Sequence, residues 1–301
     1  MGSVVAIGNF DGVHRGHRAV IGRAQALARS HGKPCAVLTF EPHPSDFFAR
    51  RSVIFRLTPQ AAKAVCLERL GLDGMIVLAF DAALSALPAD EFVRDVLVGR
   101  LGISAVVAGY DFHFGKARGG TPAFLQEAGR RYGFGVEIVE RIARDAGGSM
   151  EAVSSTATRE ALERGDVALA SLWLGHDYFV TGEVIHGKKL GRMLGFPTAN
   201  IALDPSCRLA TGIYAVRVRL DGQLLGGVAS YGHRPTFDNG AALLEVFLFD
   251  FAGDLYGREI EVAFVARLRG EETFASVDAL VARMQVDAAQ ARAVVGAPGI
   301  K

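Results

Sequence analysis

The chain has 301 residues and is 50% hydrophobic, enough to bury a large core and to divide into two domains. Its 33 lysines and arginines nearly balance 32 aspartates and glutamates, so no overall basic field points to nucleic acid. No apolar run is long enough to span a bilayer and no charged-then-apolar leader is evident; Cys35, Cys66 and Cys207 lie far apart, which argues against a disulfide framework or zinc site and suits a reducing cytoplasm.

Up to about residue 172, short apolar runs alternate with helical stretches. The first strand is expected over 4–7, followed by a helix over 18–30 with Ala19, Val20, Ala24, Leu27 and Ala28 at helical spacing. Then come a strand over 35–40, a helix over 59–70, a strand over 74–80, a helix over 89–101 and a strand over 105–108. A helix over 121–132 and a strand over 136–139 complete the series. Such alternation predicts an α/β domain whose parallel sheet is covered on both faces and takes ligands at the carboxyl ends of its strands.

From residue 178 the rhythm changes. Strands are expected over 178–185, 212–220, 224–230, 243–251 and 259–266, punctuated by turns such as Asp221-Gly222 and Ala252-Gly253-Asp254. This pattern predicts an antiparallel barrel or sandwich. A terminal helix over 277–294 carries Leu280, Val281 and Met284 on one face. The boundary falls within 171–177, dividing the chain into domains 1–172 and 173–301.

The chemistry begins with GNFDGVHRGH, residues 8–17, directly after the first strand. A turn entering a helix exposes unpaired N–H groups and the positive end of the helix dipole, which attract phosphate. His14 and His17 are three apart and share a face, and Gly16 removes a side chain where a nucleotide approaches. On residues alone the stretch is either a glycine turn with two histidines or an anion cradle. No G-x-x-x-x-G-K-[ST] occurs, so ATP would not use a P-loop.

H-x-G-H after a glycine loop resembles the nucleotidyltransferase superfamily, and the longer string resembles the bacterial bifunctional riboflavin kinase/FAD synthetases. Further segments similar to that family follow in order: TFEPHP (39–44), GYDFHFGKARGG (109–120), SSTATR (154–159), GRMLGFPTANI (191–201), RPTF (234–237), LEVFLFDFAGDLYG (244–257) and FASVDAL (274–280). The resemblance spans nearly the whole chain. It implies a Rossmann-like nucleotidyltransferase domain that transfers AMP from ATP to FMN, followed by a β-barrel riboflavin kinase domain with a C-terminal helix. The implied substrates are riboflavin, FMN and ATP with Mg²⁺, and neither nucleic acid nor membrane is an expected partner.

On this resemblance, Gly8, Asn9, Phe10, Gly16, His14 and His17 hold the triphosphate, and Ser154, Ser155, Thr156 and Arg159 form a second phosphate-contacting segment. Those last residues also read as an ordinary helix cap. His43 of E-P-H-P is implied near ATP, and Asp111, Phe112 and Phe114 near the flavin. In the second half, Gly187, Gly191 and Arg192 belong to a glycine-rich basic loop, implied to be a flap over ATP. If Thr198–Asn200 is extended, Thr198 and Asn200 share a face, and the resemblance makes them the magnesium site. Period-two spacing groups Glu245 with Leu243, Phe247 and Phe249; a carboxylate on such an apolar face suits a general base. Four positions depart from the family pattern: Thr158 for isoleucine, Phe247 for histidine, and Ser230-Tyr231 for asparagine plus an aliphatic.

Overall fold

Val4–Ile7 forms β1, and all four of its side chains are buried. The computed structural model describes residues 2–141, 153–187, 190–233 and 242–296. It groups the chain into two compact units, Met1–Ile54 with Thr58–Ser154, and Phe55–Leu57 with Ser155–Lys301.

In the first unit β1 leads to α1 (Arg15–His31), β2 (Cys35–Glu41), α2 (Pro44–Ala49), α3 (Gln60–Arg69) and β3 (Gly74–Ala79). Then follow α4 (Ala82–Ala86), α5 (Ala89–Glu91, continuing as a π-helix over Phe92–Arg100), β4 (Ala105–Gly109), α6 (Pro122–Tyr132) and β5 (Gly135–Val139). The five strands are all parallel in the order β3-β2-β1-β4-β5. Val5, Ile7, Leu38, Val106 and Ala108 join Phe92, Val93, Leu97 and Leu125 in one buried cluster. Burial on both faces explains why β1 and β4 are continuous apolar runs rather than alternating ones. The order reverses at β1, so the crevice between the carboxyl ends of β1 and β4 is the topological switch point where ligands of such sheets bind.

The second unit runs α7 (Ser155–Arg164), α8 (Val167–Leu174), β6 (Phe179–Ile185), α9 (Leu190–Met193), β7 (Thr198–Ala202) and β8 (Gly212–Leu220). It continues with β9 (Gln223–His233), β10 (Ala242–Leu248), β11 (Glu259–Arg269) and α10 (Val277–Val295). Of the two architectures expected, the strands form the closed antiparallel barrel, in the order β10-β7-β6-β11-β8-β9. Alternation fills it with Tyr214, Val216 and Val218 of β8, Leu244 and Val246 of β10, and Ile260, Val262 and Phe264 of β11. Helix α10 covers Ala215 and Phe249 through Ala291. Among the described residues no helix is long and apolar enough to cross a membrane.

Several element ends differ from expectation for local reasons. Helix α1 starts at Arg15 rather than residue 18, because His14 caps it. The expected helix over 89–101 is mostly π-helical. Strand β10 stops at Leu248, where the chain turns and Asp250 takes a φ of 55°. Strand β7 has only five residues, and its pairing with β10 and β6 rather than its own pattern makes it a strand.

Candidate active sites

The turn leaving β1 bends sharply, with φ of 49° at Phe10, 85° at Gly12 and 43° at Val13. A left-handed conformation costs a residue with a side chain about 1–2 kcal/mol, so this turn must be held from outside. Thr58 holds one side: its Oγ1 accepts from Gly12 N–H at 2.7 Å, and its N–H donates to Asp11 Oδ1 at 2.9 Å. Lys63 holds the other, its Nζ donating to the Asn9 carbonyl at 2.8 Å. Phe10 and Asp11 are thereby buried, while Asn9 stays exposed.

Beyond the turn, His14 is the N-cap of α1, and its Nδ1 accepts from His17 N–H at 3.2 Å. An accepting Nδ1 leaves the proton of the neutral ring on Nε2, a donor at the helix entrance. The His14 and His17 rings stack with centroids 3.6 Å apart, and Phe10 meets His17 edge-on at 5.2 Å. A Cβ on Gly16 would lie 3.1 Å from His14 Cε1, so this glycine makes room first for the His14 ring. The two histidines expected to share a face do so, as cap and first turn of one helix.

The other expected residues of this half occupy different local roles. His43 caps α2, its Nδ1 accepting from Ser45 N–H at 3.2 Å. Asp111 is exposed just past β4, and Phe112 is half-buried. Phe114 belongs to the core and stacks on Phe112 at 5.5 Å. Ser155 opens α7 in the second unit, with Thr156 exposed, Thr158 fully buried, and Arg159 Nε donating to the Phe55 carbonyl at 2.7 Å.

In the barrel, strand register assembles the second constellation. Glu245 of β10 lies opposite Asn200 of β7 on one side and Ser230 of β9 on the other, and Phe247 lies opposite Thr198. Cross-strand partners share a face, so Glu245, Asn200, Ser230 and Thr198 converge. Two glycines press on this face: a Cβ on Gly187 would collide with the Asn200 amide, and one on Gly191 with the Phe196 carbonyl, 3.4 Å from Thr198 Oγ1. Asn200 is buried, and its Oδ1 has no hydrogen-bond partner among the described residues. A buried acceptor left so is costly unless something donates to it or coordinates it. Lys188, Lys189, the Arg192 side chain and the RPTF segment over 234–237 lie outside the described residues.

One premise about Glu245 is corrected. The wholly buried side of β10 is Leu244, Val246 and Leu248, whereas Leu243, Glu245 and Phe247 are half-buried. Phe249 lies past the strand end, but its ring meets Phe247 edge-on at 5.9 Å, and both pack in the cluster beneath α10. The carboxylate therefore sits on the outer, partly solvated wall of the barrel. Of the departures, Phe247 packs edge-on against Phe196 at 5.1 Å, and Tyr231 is buried with its hydroxyl donating to the Cys207 carbonyl at 3.3 Å.

Sequence reasoning missed Asp11, Thr58 and Lys63. Lys63 did leave a signal, a lysine at helical spacing with Cys66 and Leu67 on the buried face of α3. Thr58 left none, because its partners are 46 and 47 positions away.

The FAD synthetase family model matches residues 1–157 and the riboflavin kinase family model residues 174–295. A bifunctional riboflavin kinase/FMN adenylyltransferase of Pseudomonas fluorescens is 45% identical over 294 residues, covering 97% of this chain and 93% of that protein. The protein of the same name from Escherichia coli is 42% identical over 296 residues, covering 98% and 93%. The crystal structure of a macrolide-efflux protein from Streptococcus pneumoniae superposes with a TM-score of 0.81 and 32% identity, covering 95% of this chain and 92% of that one. With both family models matched in succession and relatives aligned over almost its whole length, the chain belongs to the bifunctional riboflavin kinase/FMN adenylyltransferase family.

Proposed function

We propose that this chain phosphorylates riboflavin to FMN and then adenylylates FMN to FAD, residues 1–172 carrying adenylyl transfer and 173–301 the kinase. The succession of an FAD synthetase match and a riboflavin kinase match along one chain carries this reading. In the kinase step the ribityl 5′-hydroxyl attacks the γ-phosphorus of ATP and ADP leaves. Glu245, on the same barrel face as Asn200 and Thr198, takes the hydroxyl proton as general base.

In the second step a phosphate oxygen of FMN attacks the α-phosphorus of ATP and pyrophosphate leaves. Little covalent work falls to the protein, so positioning and charge stabilisation dominate. The His14 Nε2–H and the stacked His17 ring meet the triphosphate at the α1 entrance, within the turn formed by Gly8, Asn9, Phe10 and Gly16. Ser154, Ser155, Thr156 and Arg159 supply further phosphate contacts, and His43 is assigned to ATP. Asp111 and the half-buried Phe112 face the flavin, with Phe114 supporting Phe112 from the core.

Magnesium fits the barrel site through its oxygen donors. The buried Asn200 Oδ1, without a hydrogen-bond partner among the described residues, and the Thr198 hydroxyl would hold it, with Gly187, Gly191 and Arg192 over the phosphates. The ion, when bound, neutralises phosphate charge. The chain works in the cytoplasm, which its free cysteines Cys35, Cys66 and Cys207 suit.

The test is a time course with pure protein, riboflavin, ATP and Mg²⁺. FMN should appear first and FAD afterwards, from one polypeptide. Unchanged riboflavin would overturn the kinase assignment, and FMN accumulating without FAD the transferase assignment.

A further inference from the structure

Lys63 is a lysine almost wholly removed from water, at 2% exposure, on the inner side of α3. An ammonium has three protons to place, and at this burial its partners must come from the protein. They go to the Asn9 carbonyl at 2.8 Å, to Thr39 Oγ1 at 3.1 Å and towards the Glu41 carboxylate at 3.7 Å. Thr39 and Glu41 belong to β2, the neighbour of β1 in the sheet. Asn9 belongs to the strained turn, and its carbonyl also accepts from Thr39 Oγ1 at 3.0 Å. Lys63 thus fastens the first residues of the turn to the sheet, one residue before Phe10, whose ring touches His17.

We infer that Lys63 is a positioning residue for adenylyl transfer: its buried ammonium fixes the Asn9 carbonyl to β2, sets the path of the turn, and so aligns the α1 entrance and its two histidines on the ATP phosphates. The inference rests on the assignment of that turn to ATP. A ladder of contacts carries the effect, from Lys63 to Asn9, from Phe10 to His17, and from His17 to His14. Thr58 and Asp11 pin the far side of the same turn, so loss of Lys63 frees only its start. The residues assigned to the flavin, Asp111 and Phe112, are not members of this ladder, which makes the expected defect selective for one substrate.

The experiment uses the full-length chain with Lys63→Met, which keeps the length of the side chain and removes its donors and charge. Displacing phosphate-binding groups by about 1 Å costs up to roughly 10²-fold. The variant should lose about 10- to 100-fold in kcat/KM for ATP in FAD synthesis. KM for ATP should rise while KM for FMN stays within twofold, and FMN formation in the other unit should proceed normally. A merely structural lysine would lower the folded fraction, reducing kcat in proportion and moving neither KM. That result, or a kcat/KM for ATP within twofold of the parent, would overturn the inference. Should Lys63→Met leave the first unit unfolded, Thr39→Val decides. It keeps the shape, removes one partner of both Lys63 and Asn9, and should raise KM for ATP several-fold; an unchanged KM for ATP in the folded variant overturns the inference. The paired variant His14→Ala with His17→Ala separates the two layers. FAD synthesis surviving it defeats the phosphate assignment, whereas its loss there beside normal kinetics in Lys63→Met defeats the role of Lys63 alone.

Discussion

Glu245 stands between Asn200 and Ser230 on the half-buried wall of the barrel, and this placement makes its proposed role testable without disturbing the interior. Glu245→Gln keeps the volume and removes the base. Riboflavin phosphorylation should fall by about 10²- to 10⁴-fold, the range that general-base loss costs. FAD formation from added FMN should continue, and the melting transition should stay where it was. Turnover close to the parent rate would leave Glu245 a polar wall residue. Asp250 cannot replace it: it lies beyond the end of β10 and is held by Arg292 at 2.7 and 2.9 Å. The identity and spacing of Glu245, like those of His14 and His17, were legible in the sequence. The capping bond of His14 and the solvated side of Glu245 were not, since the first depends on the turn's bend and the second on which wall of the barrel faces inward.

At the scale of elements, α10 shows how a period can be right and its meaning incomplete. Leu280, Val281 and Met284 do lie on the inward side, but they are only half-buried, and the wholly buried residues of the helix are Asp287 and Ala291. Asp287 is 2% exposed and accepts from Arg269 at 3.0, 3.1 and 2.7 Å, joining the end of β11 to the middle of the helix. Arg283 approaches the same carboxylate at 3.4 Å. Removing one member of a buried pair leaves the other charge uncompensated, at a cost of roughly 3–5 kcal/mol. Asp287→Ala should therefore destabilise the barrel unit by about that amount in urea unfolding, and Asp287→Asn by less. A ΔΔG under about 1 kcal/mol would mean that Arg269 finds enough compensation from Glu272, at 3.8 Å, and from solvent. An aspartate in a helical pattern reads as a solvent-facing residue; only its arginine partner, 18 positions away, makes it an inward one.

At the scale of the whole molecule, the chain's change of rhythm and its compact units do not coincide. The proposed domain boundary lies at 172/173, whereas the compact second unit begins at Ser155 and also takes in Phe55–Leu57. Helices α7 and α8 contribute Ala161, Leu162, Val167 and Ala170, all buried, and the Leu162 carbonyl accepts from Ala210 N–H at 3.0 Å. Burying such side chains is worth several kcal/mol in total. A fragment over 155–301 should thus melt at least about 10 °C above one over 173–301, measured by circular dichroism. Equal melting temperatures would show that the two helices add nothing to the barrel. The class of each half was readable from its residues, through the apolar runs alternating with helices in the first and the short punctuated strands in the second, because side-chain periodicity is a local property. The local spacings of His14 with His17 and of Thr198 with Asn200 were also legible, because each pair is close in the chain; the meeting of Asn200 with Glu245 was not, because it depends on the register of β7 and β10. Strand periodicity left barrel and sandwich open and the family resemblance implied the barrel; only tertiary structure decided that Thr198–Ala202 is a strand within it, and that Thr58 and Lys63 hold the turn after β1. Each of these depends on partners brought together from dozens of positions away: the helical spacing of Lys63 with Cys66 and Leu67 is visible locally, but its bond to Asn9 across 54 residues, like that of Thr58 to Gly12 across 46, is not.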